Sequence, residues 1–532
     1  MKAQLQELVA KSVKELYPQA TFPEIQISIP QSRYGDFSTN IALRLAPQLE
    51  VALPEVAQQL AATIMQKDEG RMLIDCQATR TGFINFKLSD KFLQHQIAHI
   101  REKDHKFGCS NFGKGKKVLI EFVSANPTGP LHIGHGRWAV IGDDIAAMLT
   151  ASGYKVDREY YVNDIGTQVE RLEGSVRARA ESRPVPEGGY GGSYISDIAE
   201  KLRDELNKSD FREILINEML NDHKRVLGRL GVSFDTYYRE SSLHSSGKVK
   251  TAIEEIRAKG LTFEEEGALW FKSKELGDDK NRVLVRDSGE TTYFAADIAY
   301  HMDKFRRGFD RLINVWGTDH HGYVPRLKAA LKALGLPVKH FEIIIGQLVA
   351  LFRGSEPVRM SKRTGEMITL EEVIEEIGKD ATRFFLTMVS ANSHLEFDLE
   401  LAKQAAPSNP VYYVQYAHAR ISSIFREGVE RGVRIERSAD LSLLVHPAER
   451  ELIRKLIDLP DEILGAALAR EPHRMVIYAK EMAAVFHNFY HKCRVLSEDE
   501  KLTAARLQLV DATRIVLRNV LELLSVTAPE RM

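Results

Sequence analysis

The sequence predicts a multidomain protein whose central part is an α/β Rossmann-type, doubly wound parallel sheet, with an α+β domain before it and an all-α helix bundle after it. Three observations carry this reading. At 532 residues the chain exceeds a single core, since domains run to roughly 100–200 residues. A nearly continuous apolar run, KVLIEFV (Lys117 to Val123), is followed by a helical pattern and then by the strand pattern YKVDREYYV, the signature of a βαβ unit with its sheet covered on both faces. From about Leu401 onward almost everything carries helical periodicity.

Taken in order, the first domain (1–112) mixes the helical stretch LQELVAKSVKEL with the strand candidates EIQISIP and GFINFKL, and closes on the Gly- and Lys-rich linker FGCSNFGKGKK. The second (113–400) begins with KVLIEFV and a helix ending near Gly153, and carries a helical insertion over roughly Asp164 to Gly231 that contains the loop EGGYGG. Hairpin-like strands follow at ALWFKS and RVLVR. The sheet then resumes with RLINVWG, the helix YVPRLKAALKALG and the strand FEIIIG, which leads to RMSKRTGE. The third (401–532) includes the helices YYVQYAHARISSIF and EMAAVFHNFYHKCRVL.

Hydrophobic residues make up 44% and charged residues 28% of the chain, the proportions of a soluble globular protein. There is no apolar run of 18 residues, and the first thirty residues are amphipathic and acid-bearing, so a cytoplasmic protein without membrane contact is expected. Cys76, Cys109 and Cys493 lie far apart, which argues against a disulfide framework or a thiolate metal site. The net charge of −1 leaves any polyanion to local basic patches.

Two stretches can carry chemistry. In ANPTGPLHIGHGRWAVIGDDIA (Ala125 to Ala146), His132 and His135 stand three residues apart where a first parallel strand gives way to a helix, the place where doubly wound folds bind ligands and free backbone N–H groups favour anions. It is neither a GxGxxG fingerprint nor a Walker loop. The imidazoles add donors for a phosphate under attack, and Gly134 would let a flat base approach the backbone. The second stretch, RMSKRTG (Arg359 to Gly365), is a short basic loop whose Lys362 could reach a triphosphate.

Together these stretches resemble the HIGH and KMSKS signatures of class I aminoacyl-tRNA synthetases, in the right order and about two hundred residues apart. EFVSANPTGPLHIGH, EYYVNDIGTQ, TYFAADIAYH, WGTDHHGY and YVQYAHARI look specifically like arginyl-tRNA synthetases. The resemblance implies an ATP-dependent arginine–tRNA ligase. Its catalytic groups would be His132, His135 and Lys362, and Pro127, Thr128, Gly129, Gly134, Gly317, Asp319, Met360 and Ser361 would join them around ATP. Mg²⁺ would accompany the nucleotide, with no structural metal. The signature departs from the family at Arg359 and Arg363, which stand where lysine and serine are usual, and this puts the role of Arg359 in doubt.

An arginine substrate needs carboxylates for its planar fork of donors. Asp297 and Glu121 are the candidates, and Tyr293, one helical turn before Asp297, would face the same way. By resemblance, Asn126 would hold the amino or carboxylate end, His135 would also touch the substrate, and His321 would line the far side. Tyr293 has a core position as its alternative, and Glu121 an ion pair with an arginine side chain. The partner implied is tRNA(Arg), bound by a monomer. The family's N-terminal domain reads the tRNA elbow, and Phe83 and Asn85 lie two apart on the matching strand. In the bundle, Tyr412, Tyr416 and Arg420, with Tyr413 beside them, and His487, Tyr490, His491 and Arg494 suit an anticodon loop; helical spacing makes several of them core. Two rival readings keep the fold: a nucleotidylyltransferase acting on a small metabolite, and a non-catalytic tRNA-binding relative.

Overall fold

The structure, a computed structural model, describes residues 1–22, 24–31, 34–68, 71–358, 368–433 and 439–532, with the backbone but not the side chain of Asp319. Helix α1 (Lys2–Leu16) buries Leu5, Val9 and Val13, a spacing of four that puts all three on one face. Strands β1 (Ile27–Ser28) and β2 (Phe37–Thr39), helices α2 (Ile41–Leu49) and α3 (Leu53–Lys67), and strands β3 (Leu73–Ala78) and β4 (Ile84–Leu88) follow. The four strands pair antiparallel in the order β1-β2-β4-β3. The strand expected over EIQISIP is only two residues long, because Pro30 has no N–H to continue a ladder. Helix α4 (Asp90–Lys103) is capped by Ser89, whose hydroxyl accepts from the Phe92 N–H.

The central sheet starts with β5 (Lys117–Glu121), where Val118, Leu119 and Ile120 are all buried. Helix α5 (Ile133–Ala151), β6 (Lys155–Val162), the insertion helices α6 (Thr167–Ala180), α7 (Ser193–Lys201) and α8 (Phe211–Arg229), and β7 (Thr236–Arg239) come next. Helices α9 (Glu240–Ser245) and α10 (Lys248–Ala258) lead to an antiparallel three-stranded sheet of β8 (Thr262–Glu265), β9 (Ala268–Phe271) and β10 (Arg282–Val285). The last two are the expected hairpin strands. Helix α11 (Tyr293–Arg306), β11 (Arg311–Gly317), α12 (Val324–Ala333) and β12 (Phe341–Gly346) complete the core. The sheet order is β12-β11-β5-β6-β7, parallel throughout. Chain order runs one way from β5 to β7 and the other way through β11 to β12. A crevice therefore opens between β5 and β11, beyond their C-terminal ends.

Strand β13 (Val349–Arg353) pairs antiparallel with β14 (Glu356–Pro357) and, beyond helix α13 (Leu370–Leu386), parallel with β15 (Leu395–Asp398), which leads into α14 (Leu399–Lys403). The remainder is helical: α15 (Pro410–Glu430), α16 (Pro447–Leu456), α17 (Leu459–Ala469), α18 (His473–Lys492) and α19 (Glu500–Leu523). One buried apolar cluster runs from α1 through β5 and α5 into this bundle.

Two arginines with no access to water tie the layers together. Arg137, on α5, donates to the carbonyls of Gln347 (2.9 Å), Leu348 (3.3 Å), Ser390 (2.9 Å) and Ser393 (2.8 Å). Burial lowers its pKa to about 10. Arg383, on α13, bonds Asp143 (2.8 Å) and Asp144 (2.6 Å) on α5, and the carbonyls of Leu230 (3.0 Å) and Leu524 (2.6 Å). The N-terminal domain docks on the bundle through Arg450, which donates to Asp36 and to the Leu88 carbonyl at 2.9 Å each, and through Arg101 to Asp511 (2.9 Å).

Candidate active site

The crevice holds a cavity of about 540 Å³. Its wall begins at the end of β5, where Val123 (φ 67°) and Ser124 (φ 40°) lie in the left-handed region that side chains disfavour; such strain gathers at working sites. The Ser124 hydroxyl donates to Glu121 (2.9 Å) and accepts from the Tyr161 N–H (3.1 Å), which holds the turn.

His132 is the N-cap of α5. Its Nδ1 accepts from the N–H groups of Gly134 (3.1 Å) and His135 (3.4 Å), while the His135 Nδ1 accepts from the His132 N–H (3.3 Å). A nitrogen that accepts carries no proton, so each neutral ring bears its hydrogen on Nε2. The rings stack at 3.7 Å, and both line the cavity. A Cβ on Gly134 would lie 2.9 Å from the His132 ring; the glycine is needed there for the imidazole itself, a requirement the expectation had assigned to a base. His132 also bridges Thr369 across an isolated antiparallel pair, and the Leu370 N–H donates to the Leu131 carbonyl (2.8 Å). The signature loop is thus tied to the start of α13. Arg359, Met360, Ser361, Lys362 and Arg363 lie outside the described residues.

The opposite wall is acidic. Among the described residues lining the cavity the carboxylates are Glu121, Glu240 and Asp297, and none is a lysine or arginine. Glu121, expected to take a guanidinium, is instead bonded at 2.5 Å to the buried ammonium of Lys304. That ammonium also reaches Asn314 (3.1 Å), which donates to His301 Nε2 (2.9 Å), and His301 Nδ1 donates to the Asp297 carbonyl (2.8 Å). The ion-pair alternative holds for Glu121, with a lysine as the cation. Asp297 sits on the inner face of α11 and accepts from the Tyr323 hydroxyl. Burial raises its pKa to about 7, opposed by that bond and reinforced by the charge of Glu121. Glu240 is likewise raised to about 7 by burial and by the charge of Asp297. Sequence reading missed Glu240. Its signal was position, the first residue after the parallel strand β7, where ligand-binding groups of such sheets gather.

Of the other expected residues, Asn126, Tyr293 and Gly317 line the cavity. Tyr293 is 49% exposed, not core. Pro127 and Thr128 are buried and, with Gly129, stand behind the wall and not on it. His320 lines the cavity and His321 does not, because the 3₁₀ turn Thr318–Tyr323 swings successive side chains about 120° apart. Trp138 adds its indole edge, 5.5 Å from the His135 ring.

The tRNA candidates fall into two groups. Phe83 precedes β4 and is 40% exposed, whereas Asn85 is 8% exposed, inside the sheet between Ser38 and Gln77. They do not share a solvent face. In the bundle, α15 and α18 bring their aromatic and basic residues together. Tyr412 and Tyr416 stack at 6.0 Å, Arg420 lies over Tyr416 (4.9 Å) and Tyr490 (5.1 Å), and His487 sits 6.0 Å from Tyr416 and 5.0 Å from Tyr413. Tyr490, His491 and Arg494 line an adjoining groove of about 250 Å³.

A parallel sheet with its crevice at the strand switch, a two-histidine cap at the head of the first helix and a helical domain beyond are what define a class I aminoacyl-tRNA synthetase. The family model "tRNA synthetases class I (R), catalytic domain" matches residues 96–183 and 194–422, "Arginyl tRNA synthetase N terminal domain" matches 3–88, and "DALR anticodon binding domain" matches 414–532. The arginine–tRNA ligase of Heliobacterium modesticaldum is 47% identical over 549 residues, covering 98% of this chain and 96% of its own. That of Moorella thermoacetica is 47% identical over 529 residues, covering 96% and 94%. The arginyl-tRNA synthetase structure from Thermus thermophilus shares the fold with a TM-score of 0.81 over 100% of both chains, at 23% identity. The chain belongs to the arginyl-tRNA synthetase family. Its reaction is the ATP-dependent ligation of arginine to tRNA, which displaces the nucleotidylyltransferase and non-catalytic readings. Among the described residues no helix is long and apolar enough to cross a membrane.

Proposed function

We propose that arginine lies across the floor of this cavity with its guanidinium between Glu240 and Asp297 and its carboxylate toward His132 and His135, against which ATP binds. One observation carries the reading: two carboxylates, the buried Glu240 and the half-buried Asp297, line the cavity that the two signature histidines enter. A planar, permanently charged fork fits two acids better than an ammonium does. Tyr293 closes the mouth over it, and Asn126 holds the amino end.

The first step is in-line attack of the arginine carboxylate oxygen on the α-phosphorus of ATP. The α–β phosphoanhydride bond breaks and pyrophosphate leaves, giving arginyl-adenylate. The Nε2–H groups of His132 and His135 stabilise the charge growing on the phosphate oxygens, and Lys362 does so on the pyrophosphate side. Mg²⁺ bound with the nucleotide would supply neutralising charge at its phosphates. Among the described residues no group of three or more His, Cys, Asp or Glu is arranged to hold an ion. The terminal ribose hydroxyl of the tRNA then attacks the activated carbonyl and AMP departs. No protein nucleophile is needed; positioning and charge do the work. The domains divide as 1–112 for the tRNA elbow, with Phe83 as the exposed platform, 113–400 for catalysis, and 401–532 for the anticodon loop at Tyr412, Tyr416, Arg420 and Tyr490. The protein acts in the cytoplasm as a monomer.

ATP–pyrophosphate exchange with tRNA present tests the assignment. Asp297→Ala raises the KM for arginine far more than that for ATP; an unchanged arginine KM removes Asp297 from the pocket. Lys362→Ala slows adenylate formation by about 10²–10³, as for loss of one oxyanion contact.

A further inference from the structure

The stretch from Ala125 to Gly129, which carries the wall of the site into His132, makes little use of backbone partners. Three of its carbonyls are instead held by side chains from outside. The Tyr160 hydroxyl, on β6, donates to the Ala125 carbonyl at 2.8 Å. The Tyr194 hydroxyl, on α7, donates to the Thr128 carbonyl at 3.0 Å. His223 Nε2, on α8, meets the Gly129 carbonyl at 2.8 Å, and its Nδ1 lies 3.0 Å from the Tyr160 hydroxyl. Tyr160 and His223 have no exposed surface.

A carbonyl only accepts, so Nε2 of His223 must carry a proton. Burial lowers the pKa of His223, so the ring is neutral and its Nδ1 is an acceptor. The single Tyr160 hydrogen then faces two acceptors, the Ala125 carbonyl and Nδ1, and the two residues hold the loop as one unit. Helix α8 also reaches the far side of the site. Arg225 grips Glu371 on α13 with two nitrogens, one of them at 2.7 Å, and Arg229 reaches Glu371 at 2.5 Å and Glu375 at 2.9 Å.

We propose that the helical insertion is the positioning device of the ATP half of the site: Tyr194 and His223, with Tyr160, fix the carbonyls of the 125–129 loop and so set where His132 and His135 meet the nucleotide. These are positioning residues; none touches substrate. The inference rests on the placement of ATP against His132 and His135 given above. A buried carbonyl that loses its donor keeps the desolvation cost and drifts toward another partner, and small displacements of a phosphate-binding group are costly in rate.

The test uses the full-length protein in ATP–pyrophosphate exchange with tRNA. Tyr194→Phe removes one hydroxyl from a partly exposed ring and leaves packing intact. It raises the KM for ATP by about three- to ten-fold, the worth of one hydrogen bond, and the arginine KM by clearly less, since only Asn126 of this loop reaches arginine. His223→Ala does more, and His223→Gln, which keeps a donor near the Nε2 position, restores part of the loss. A merely structural role would move both KM values together and would track thermal stability, and that outcome overturns the proposal, as does an unchanged ATP KM in Tyr194→Phe and His223→Gln. His132→Ala separates the two layers of argument. If it cripples exchange while the insertion variants do not, only the positioning role fails; if it too leaves ATP use untouched, the placement of ATP itself fails.

Discussion

Glu240 and Asp297 on the acidic wall are both held toward their neutral forms by burial, and this makes arginine capture pH-dependent. Both pKa values stand near 7, so below that pH each acid must lose a proton before it can pair with a guanidinium. Arginine affinity falls as pH drops from 8 to 6, by up to about ten-fold per unit for each proton released. Stability follows the same protons. Between about pH 4 and 7 the folded protein holds protons that the unfolded chain has released, so this pair's contribution to stability declines as pH rises through that window. Added arginine should therefore raise the melting temperature more at pH 8 than at pH 6, and equal shifts at both would show that the acids are not where arginine binds. Glu240→Gln is expected to weaken arginine by about ten-fold or more with little change for ATP, as read from KM values. At this scale the sequence was legible wherever a residue's place in the crevice follows from the element that carries it. Asp297 and the two histidines could be named; the matching of Glu121 by Lys304, 183 positions away, could not, because nothing local links them. His320 and His321 differ only by one step around a tight turn.

Helix α5 shows how an element can be readable in outline and opaque in its fastenings. Its position after an apolar strand and its cap at His132 follow from the order of residues. Its rigidity comes from Arg137, whose partners lie more than two hundred residues on. Removing that fork leaves the Gln347 and Ser393 carbonyls without their donor, whereas those of Ser390 and Leu348 still accept from the N–H groups of Ser393 and Leu395. Arg137→Ala is expected to destabilise the protein by about 3 kcal/mol or more, seen in chemical denaturation. Arg137→Lys recovers only part of this, since an ammonium cannot span a planar fork's four acceptors. An unchanged denaturation midpoint in the alanine variant would show that water replaces the guanidinium. Glycine does the complementary work on the same helix. A Cβ at Gly142 would fall 2.2 Å from the Phe122 ring and one at Gly136 would fall 2.5 Å from Leu370, which is why the helix carries helix-weakening residues at its points of closest approach. The N-terminal sheet was less legible, because EIQISIP alternates well and is stopped by a proline after two paired residues.

Across the whole molecule, the two ends of the chain sit side by side. Arg450 on α16 meets Asp36 and Leu88, and Asn519 on α19 donates to the Asp104 (2.8 Å) and Phe107 (3.0 Å) carbonyls. Composition announced three domains, yet docking of the first on the third was invisible, since it depends on side chains over 350 positions apart. Arg450→Ala loosens this joint without touching the crevice. Hydrogen exchange at β4 and α4 is expected to speed up while adenylate formation stays as it was, and a loss of adenylate formation would mean the joint shapes the active site as well. The opposite joint has a different character. Arg383 reaches the helical domain through the main-chain oxygen of Leu524, so the contact is specified by sequence on one side alone. Substitutions at 524 that keep the fold keep the bond, whereas loss of Arg383 has no compensating change available at 524. A search for suppressors of an Arg383 defect should find them at Asp143, Asp144 or elsewhere in the catalytic domain, and the residue that receives the bond should vary only among apolar side chains, since Leu524 is itself buried in the core.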